Sequence, residues 1–331
     1  MDSATRHDPP STQDAAFAAP VRPSVVTLPE RPPDGVVTLL DFFVVRFPRI
    51  PAATWRERFA AGKVWGANGA VAADAPFQPL LELRYRREVE SEPPVRTDVE
   101  IVWSDDDLLV VDKPPHLPVT PGGRWVRNTL LHRLEGLTGC PELAPLHRLD
   151  RLTSGLVVLS RRRGTRAHYA RLFQPGAPVE KVYTAVCEVR RDDPPGQALL
   201  EHHIQRSRGE HWRQVIVPAE EPNCSSEIDL IASSGRLAAY RVRPRTGRKH
   251  QLRVQLAAAG LPVLGDPLYG TAPCHDPEDL ATRLWLDAHS IRITDFPRPG
   301  GVGRLTAAWT SREDPFTMLD RATAGAVLRA S

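Results

Sequence analysis

Within residues 147–159 the chain reads His-Arg-Leu-Asp-Arg-Leu-Thr-Ser-Gly-Leu-Val-Val-Leu, so a single carboxylate, Asp150, sits between two arginines. Guanidinium neighbours favour the ionised form of an acid, and an ionised carboxylate suits a nucleophile or a base better than a general acid. A turn-capping salt bridge is the competing use of the same residues. A second cluster, Arg245-Thr246-Gly247-Arg248-Lys249-His250-Gln251-Leu252-Arg253, places four cations and several polar donors at the start of a helical pattern. A guanidinium on the buried side of that helix could grip a carboxylate with both arms. His147, His250 and Asp150 could also suggest a metal site, but the surrounding arginines would repel a dication, so no metal is expected.

The elements that must carry these residues follow from local pattern. Leu108–Val111 and Leu156–Leu159 are short continuous apolar runs that read as buried strands, the first stopped by Lys113-Pro114-Pro115. Val182–Val186 reads as a third strand, and Ile228–Ile231 with Leu237–Val242 as a hairpin. Thr165–Phe173 and Arg248–Ala259 are expected helices, the latter ended by Gly260 and Pro262. This irregular interleaving predicts an α+β fold rather than a doubly wound sheet.

Residues 1–34 contain seven prolines and little apolar periodicity, which predicts a disordered tail. A small domain is expected over residues 35–90, with Leu39, Leu40, Phe42 and Phe43 opening one helix and Trp55, Phe59 and Ala60 lining another. There, Val64-Trp65 runs into the hairpin signal Asn68-Gly69. Residues 91–98 read as a linker, 99–315 as the larger domain and 316–331 as a C-terminal tail.

Composition narrows the setting. Hydrophobic residues make up 41% and charged residues 25% of the 331, ordinary values for a globular chain, and no apolar run is long enough for a membrane helix. A cytoplasmic, monomeric protein without a membrane partner is therefore expected. Cys140, Cys187, Cys224 and Cys274 show no C-x-x-C spacing and are expected to be reduced and structural. The net charge of +3 is small, but Arg241–Arg253 holds six cations and no acid, enough for a local basic face that follows phosphates.

The run H-R-L-D-R-L-T-S-G-L closely resembles the catalytic motif of the RluA-type RNA pseudouridine synthases. R-T-G-R-K-H-Q-L-R-V, followed by G-x-P-V-L-G-D-P-L-Y-G, is similar to their later motif. Val110-Val111-Asp112-Lys113-Pro114 resembles their first strand and turn, and Lys181-Val182-Tyr183 their short K-x-Y element. The likeness covers about residues 99 to 310 and implies a mixed, mainly antiparallel sheet flanked by helices and loops. It implies isomerisation of uridine in ribosomal or transfer RNA with no cofactor: the bond from ribose to nitrogen breaks, the ring turns, and a bond to carbon forms. By this resemblance Asp150 is the catalytic carboxylate, Tyr183 stacks on the target base, and Arg253 rather than Arg248 pairs with Asp150. Arg148 fills the space that the uridine leaves on flipping out. Arg151, Lys181, Arg248, Lys249 and His250 are RNA contacts, His147 is scaffolding or a phosphate contact rather than a chemical group, and affinity should weaken with salt.

Two positions depart from the family pattern. Gln255 stands where a histidine is usual, and Leu152 where many members have a polar residue. Arg56, Arg58, Gly62, Lys63, Val64, Asn68 and Gly69 give residues 35–90 a resemblance to a small RNA-binding domain of the ribosomal small-subunit protein type. Two other functions compete: a non-catalytic RNA-binding protein on the same fold, and a glycosidic hydrolase. The first would gain nothing from a carboxylate facing phosphates. The second usually needs a second carboxylate, and the motif has none.

Overall fold

A computed structural model describes residues 21–330 apart from 88, 90, 96, 97, 190–193, 211, 219, 272–279, 281 and 302. The chain forms two compact units that meet in sequence at Glu92 and Pro93.

The smaller unit contains β1 (Ser24–Thr27), α1 (Leu39–Arg46), α2 (Ala52–Ala60), β2 (Val64–Gly66), β3 (Gly69–Ala70) and β4 (Glu82–Tyr85), with sheet order β1-β4-β2-β3. Thr38 caps α1, accepting from the Asp41 amide while the Asp41 carboxylate accepts from the Thr38 amide. Phe43 packs edge-on to Trp55, Phe59 and Tyr85 at the centre of the core. Residues 24–34 correct the expected tail: β1 pairs in register with β4, and Leu28 is buried. Four extended residues can join a sheet through backbone hydrogen bonds alone, so their prolines and sparse apolar pattern gave little warning. Residues 1–20 of that tail lie outside the described residues.

The larger unit runs through β5 (Glu100–Ser104), β6 (Leu108–Lys113), α3 (Leu130–Thr138), β7 (Ala144–Pro145), β8 (Ser154–Ser160) and α4 (Arg163–Ala170). It continues with β9 (Val179–Glu188), β10 (Gln197–His202), β11 (Ile204–Arg206), β12 (Gln214–Ile216), β13 (Cys224–Ser234), β14 (Leu237–Pro244) and α5 (Gln251–Ala258). β15 (Leu286–Pro297), β16 (Arg304–Thr310) and α6 (Pro315–Ala330) complete it. The large sheet has the order β10-β13-β14-β9-β15-β8-β6-β5, with β16 beside β15 and β7 beside β8. Every pairing is antiparallel except β15 with β8, so the fold is α+β with a mixed, mainly antiparallel sheet. β11 and β12 pair only with each other, as a separate hairpin.

β6 and β8 are buried along their whole length, which explains why both read as unbroken apolar runs. They separate two cores. Val110, Leu156 and Val158 face Tyr169, Ile291 and Trp309, while Leu109, Val111 and Val157 face Leu130, Leu134 and Leu149. The residues departing from the family pattern are both core: Leu152 packs beside Tyr240 and Leu256, and buried Gln255 bonds Ser226 and the Leu200 carbonyl.

Two further boundaries are corrected. Val95 and Val99 pack on the larger unit's core and the Pro93 carbonyl accepts from Asn128, so most of the expected 91–98 linker belongs to that unit. The expected tail 316–331 falls on α6, whose Met318, Leu319 and Ala322 are buried against Val186, Leu237 and Ala239. Cys140, Cys187 and Cys224 are unpaired thiols, and Cys274 lies outside the described residues.

Candidate active site

The Asp150 loop is held from three directions. Leu149 and Leu152 are buried in different cores on either side of it, and the Thr153 amide closes a turn onto the Asp150 carbonyl at 3.2 Å. Buried Lys113, at the end of β6, donates to the carbonyls of Pro114 (2.8 Å) and Arg151 (3.3 Å). The loop enters β8 at Gly155, whose φ of +102° and backbone contact with Ala288 leave no room for a side chain. Asp150 is thus presented, about a quarter exposed, at one end of the two most buried strands.

Across the cleft, the loop 245–250 is fixed by Gln251. Its carbonyl oxygen accepts from the Thr246 hydroxyl and the Arg248 amide, and its amide donates to Ser225 and Ser226. α5 starts one turn later than the sequence suggests, because His250 sits in the left-handed conformation that precedes it. Arg253 projects from the buried α5 with only 3% exposure and reaches Asp150 Oδ2 through Nη1 at 3.5 Å. Its two-armed grip is on another residue: Nε and Nη2 meet the Asp266 carboxylate at 2.7 Å each. Burial pulls the Arg253 guanidinium down, but Asp266 and then Asp150 outweigh it, and the net shift is upward. Asp266 also accepts the amides of Leu268 and Tyr269. The Tyr269 ring lies under Arg253, 5.2 Å from the guanidinium carbon.

A cavity of about 400 Å³ opens between these walls, lined by Asp150, Tyr183 and Arg253 together with Arg148, Lys181, Arg248, Lys249 and His250. Lys181 and Tyr183, two apart on β9, share one face. Burial, then the nearby Asp150 and Asp287, push the Tyr183 phenol upward, so it stays protonated at neutral pH. Burial also lowers Lys181 and Lys249. Lys249 Nζ meets the Trp212 carbonyl at 3.0 Å and Arg248 Nε the Asn223 carbonyl at 2.9 Å, which leaves Arg248 away from Asp150.

Arg151 is not among the residues lining the cavity; its guanidinium lies over the Trp125 ring at 5.4 Å. An arginine directly after Asp150 points elsewhere because neighbouring side chains diverge. His147 is stacked on Phe173 and accepts the Val158 amide at 3.0 Å; burial pulls it down to about 3. Asp266, Tyr269, Gln251 and Phe173 were not assigned roles from sequence. The glycine-punctuated Leu264–Gly270 loop was the one signal for the first two. Among the described residues no cluster of His, Cys, Asp or Glu could hold a metal, and no helix is long and apolar enough to cross a membrane.

The family model for RNA pseudouridylate synthase matches residues 107–258. An RNA pseudouridine synthase of Synechocystis, itself named as uncharacterized, is 32% identical over 233 residues, 70% of this chain and 79% of that one. The chain belongs to the RNA pseudouridine synthase family. Its members are isomerases. The mitochondrial tRNA pseudouridine(32) synthase of Saccharomyces cerevisiae is 30% identical over 182 residues, 54% of this chain but only 38% of that enzyme. The human RNA pseudouridylate synthase domain containing 4 shares the fold, with a TM-score of 0.51 at 22% identity over 68% of this chain and 93% of that one.

Proposed function

We propose that this protein converts uridine to pseudouridine in ribosomal or transfer RNA, with Asp150 as its catalytic carboxylate. The observation that carries this is the placement of one carboxylate on the wall of a basic cavity, facing a buried guanidinium, with the Tyr183 ring lining the same space. The relative named for transfer RNA supports that substrate class. Lys181, Arg248 and Lys249 take the flanking phosphates, and Arg148, exposed on the cavity wall, fills the gap left by the flipped uridine.

With the uridine seated against Tyr183, Asp150 acts on the ribose, either by attack or by removing a proton. The bond from ribose to N1 breaks, the uracil turns, C5 bonds to the ribose, and the C5 proton leaves. Arg253 faces the carboxylate from a fixed position before the reaction starts, an electrostatic arrangement that costs no reorganisation. The smaller unit, with exposed Arg56 on α2, is a second surface for the same RNA.

The test is Asp150→Asn. RNA labelled with tritium at uracil C5, extracted from cells lacking this protein, should release tritium with the wild type and none with the variant. RNA affinity should stay within a few-fold, since one amide replaces one carboxylate. Tritium release by the variant refutes the assignment, and RNA binding by a wild type that releases none makes the protein a binder.

A further inference from the structure

The two ring nitrogens of His250 have different neighbours. Nδ1 lies 2.9 Å from the Tyr269 hydroxyl oxygen, and Nε2 lies 3.8 Å from Asp150 Oδ1. The Tyr269 oxygen already accepts the Gln214 backbone N–H at 2.8 Å. That phenol has one proton to give, and His250 Nδ1 is the acceptor that meets it among the described residues, so the phenol donates and Nδ1 accepts. A neutral imidazole that accepts at Nδ1 carries its own proton at Nε2.

The ring is neutral at physiological pH. Burial is the largest influence and pulls it down to about 4; Asp150 opposes this, Arg253 and Lys249 add to it, and Asp266 opposes it. Arg213 stands farther off, its guanidinium carbon 5.7 Å from the Tyr269 ring. A phosphate contact would draw on a protonated histidine, and this one has lost its charge to the cleft wall.

The two oxygens of Asp150 therefore face two different donors, Arg253 Nη1 at Oδ2 and His250 Nε2–H at Oδ1. At 3.5 and 3.8 Å neither is yet a good hydrogen bond, and such contacts tighten when substrate closes a site. We propose that His250 is a positioning residue for the isomerisation: Tyr269 fixes its tautomer, and its Nε2–H orients the Asp150 carboxylate through Oδ1 while Arg253 holds Oδ2. This rests on Asp150 being the reactive carboxylate, and it moves His250 from the RNA contacts to the catalytic support.

The experiment is single-turnover tritium release with enzyme in excess over the C5-labelled RNA, which separates the maximal rate from half-saturation. His250→Asn suits the left-handed backbone, since asparagine tolerates that conformation, yet it is too short to reach Asp150. The maximal rate should fall roughly 10- to 100-fold, with half-saturation within about three-fold. Tyr269→Phe should lower the rate as well, and should cost nothing further on the His250→Asn background. In the wild-type long-range proton–nitrogen NMR spectrum, His250 should show a bare Nδ1 and a protonated Nε2.

A His250→Asn rate within about two-fold of wild type overturns the proposal. So does a loss confined to half-saturation that grows as pH falls through the ordinary histidine range near 6.5, the mark of a phosphate contact. The reverse tautomer in the spectrum overturns it whether or not the variants fold. Asp150→Asn runs alongside: an inactive wild type, or an active Asp150→Asn, removes the underlying reading. An active wild type, a silent Asp150→Asn and a fully active His250→Asn remove this inference alone.

Discussion

Replacing Asp266 by asparagine asks how Arg253 is held. The Asp266 side chain has no exposed surface, and its four hydrogen bonds divide unevenly. Oδ1 takes Arg253 Nη2 and the amides of Leu268 and Tyr269, while Oδ2 takes Arg253 Nε alone. An asparagine oriented with its oxygen at the Oδ1 position keeps three of the four. Its NH2 then points at Arg253 Nε, donor against donor. The loop has little freedom to relax, because an added Cβ would stand 2.0 Å from the Arg283 carbonyl at Gly265 and 2.4 Å from the Asp266 carbonyl at Gly270.

Removing one partner of a buried ion pair costs about 3–5 kcal/mol. Asp150 remains as a counter-charge at 3.5 Å and three hydrogen bonds survive, so the lower end, about 3 kcal/mol, applies. A unit of this size loses about 2–4 °C of melting temperature per kcal/mol, which makes the expected drop about 6–12 °C. Below the melt, the guanidinium would shift toward Asp150 and the rate of tritium release should fall by about two orders of magnitude. Thermal unfolding followed by circular dichroism and single-turnover kinetics at 25 °C measure the two effects. A melting temperature lowered by less than about 2 °C would refute the idea that Asp266 carries the guanidinium.

Two other perturbations test the scaffold. Burial pushes the Lys113 ammonium down from 10.5 to about 7, against Asp150, Asp287 and Asp112. Between those two values the unfolded chain binds a proton that the folded chain has released, so this residue makes stability rise with pH. Lys113→Met removes that rise: the stability lead of wild type over variant should widen from pH 7 to about pH 9, by at most about 1.4 kcal/mol per unit, and a constant lead in urea titrations would contradict it. Gly155→Ala would put a Cβ 2.5 Å from the Ala288 carbonyl oxygen and 2.6 Å from its amide nitrogen, at a φ of +102°. It should cost more than about 4 kcal/mol and leave little soluble protein, whereas Gly164→Ala in α4, with nothing within 4 Å, should express normally; equal yields would argue against the close strand contact.

What the sequence revealed depended on whether an element's reason was local. β6 and β8 were legible because burial on both faces writes itself as consecutive apolar residues. The pairing of Arg253 with Asp150 was expected from the motif resemblance, and the two do face each other across 103 positions of chain. The two-armed partner of Arg253 was not legible. Asp266 looks like any turn aspartate until α5 and the 264–270 loop are folded together, and only the glycines hinted that backbone would come close there. β1 and α6 were missed for a different reason: both are made by a surface that waits for them. β4 offers β1 an edge, and Val186, Leu237 and Ala239 on β9 and β14 accept Met318, Leu319 and Ala322 of α6. Such complementarity belongs to two segments at once and leaves no mark in either alone.

The distribution of charge gives the proposed reaction its shape. A cleft that binds phosphates must be positive, yet a positive field over the whole cavity would draw a phosphate onto Asp150 and block it. Among the described residues, Arg148, Lys181, Arg248 and Lys249 line the cavity without an ion pair within 4.0 Å, so their charge is the less offset there. At the base Arg253 is met by two carboxylates and His250 is neutral, so the floor around Asp150 carries no net positive charge to attract an anion. In the proposed reaction the backbone of the RNA would be held at the lysine and arginine positions, and an uncharged uracil is what the floor would admit. Neutralising the floor is therefore as necessary to a uridine-handling site as charging its walls, and it explains why a buried guanidinium here has two acidic partners instead of one.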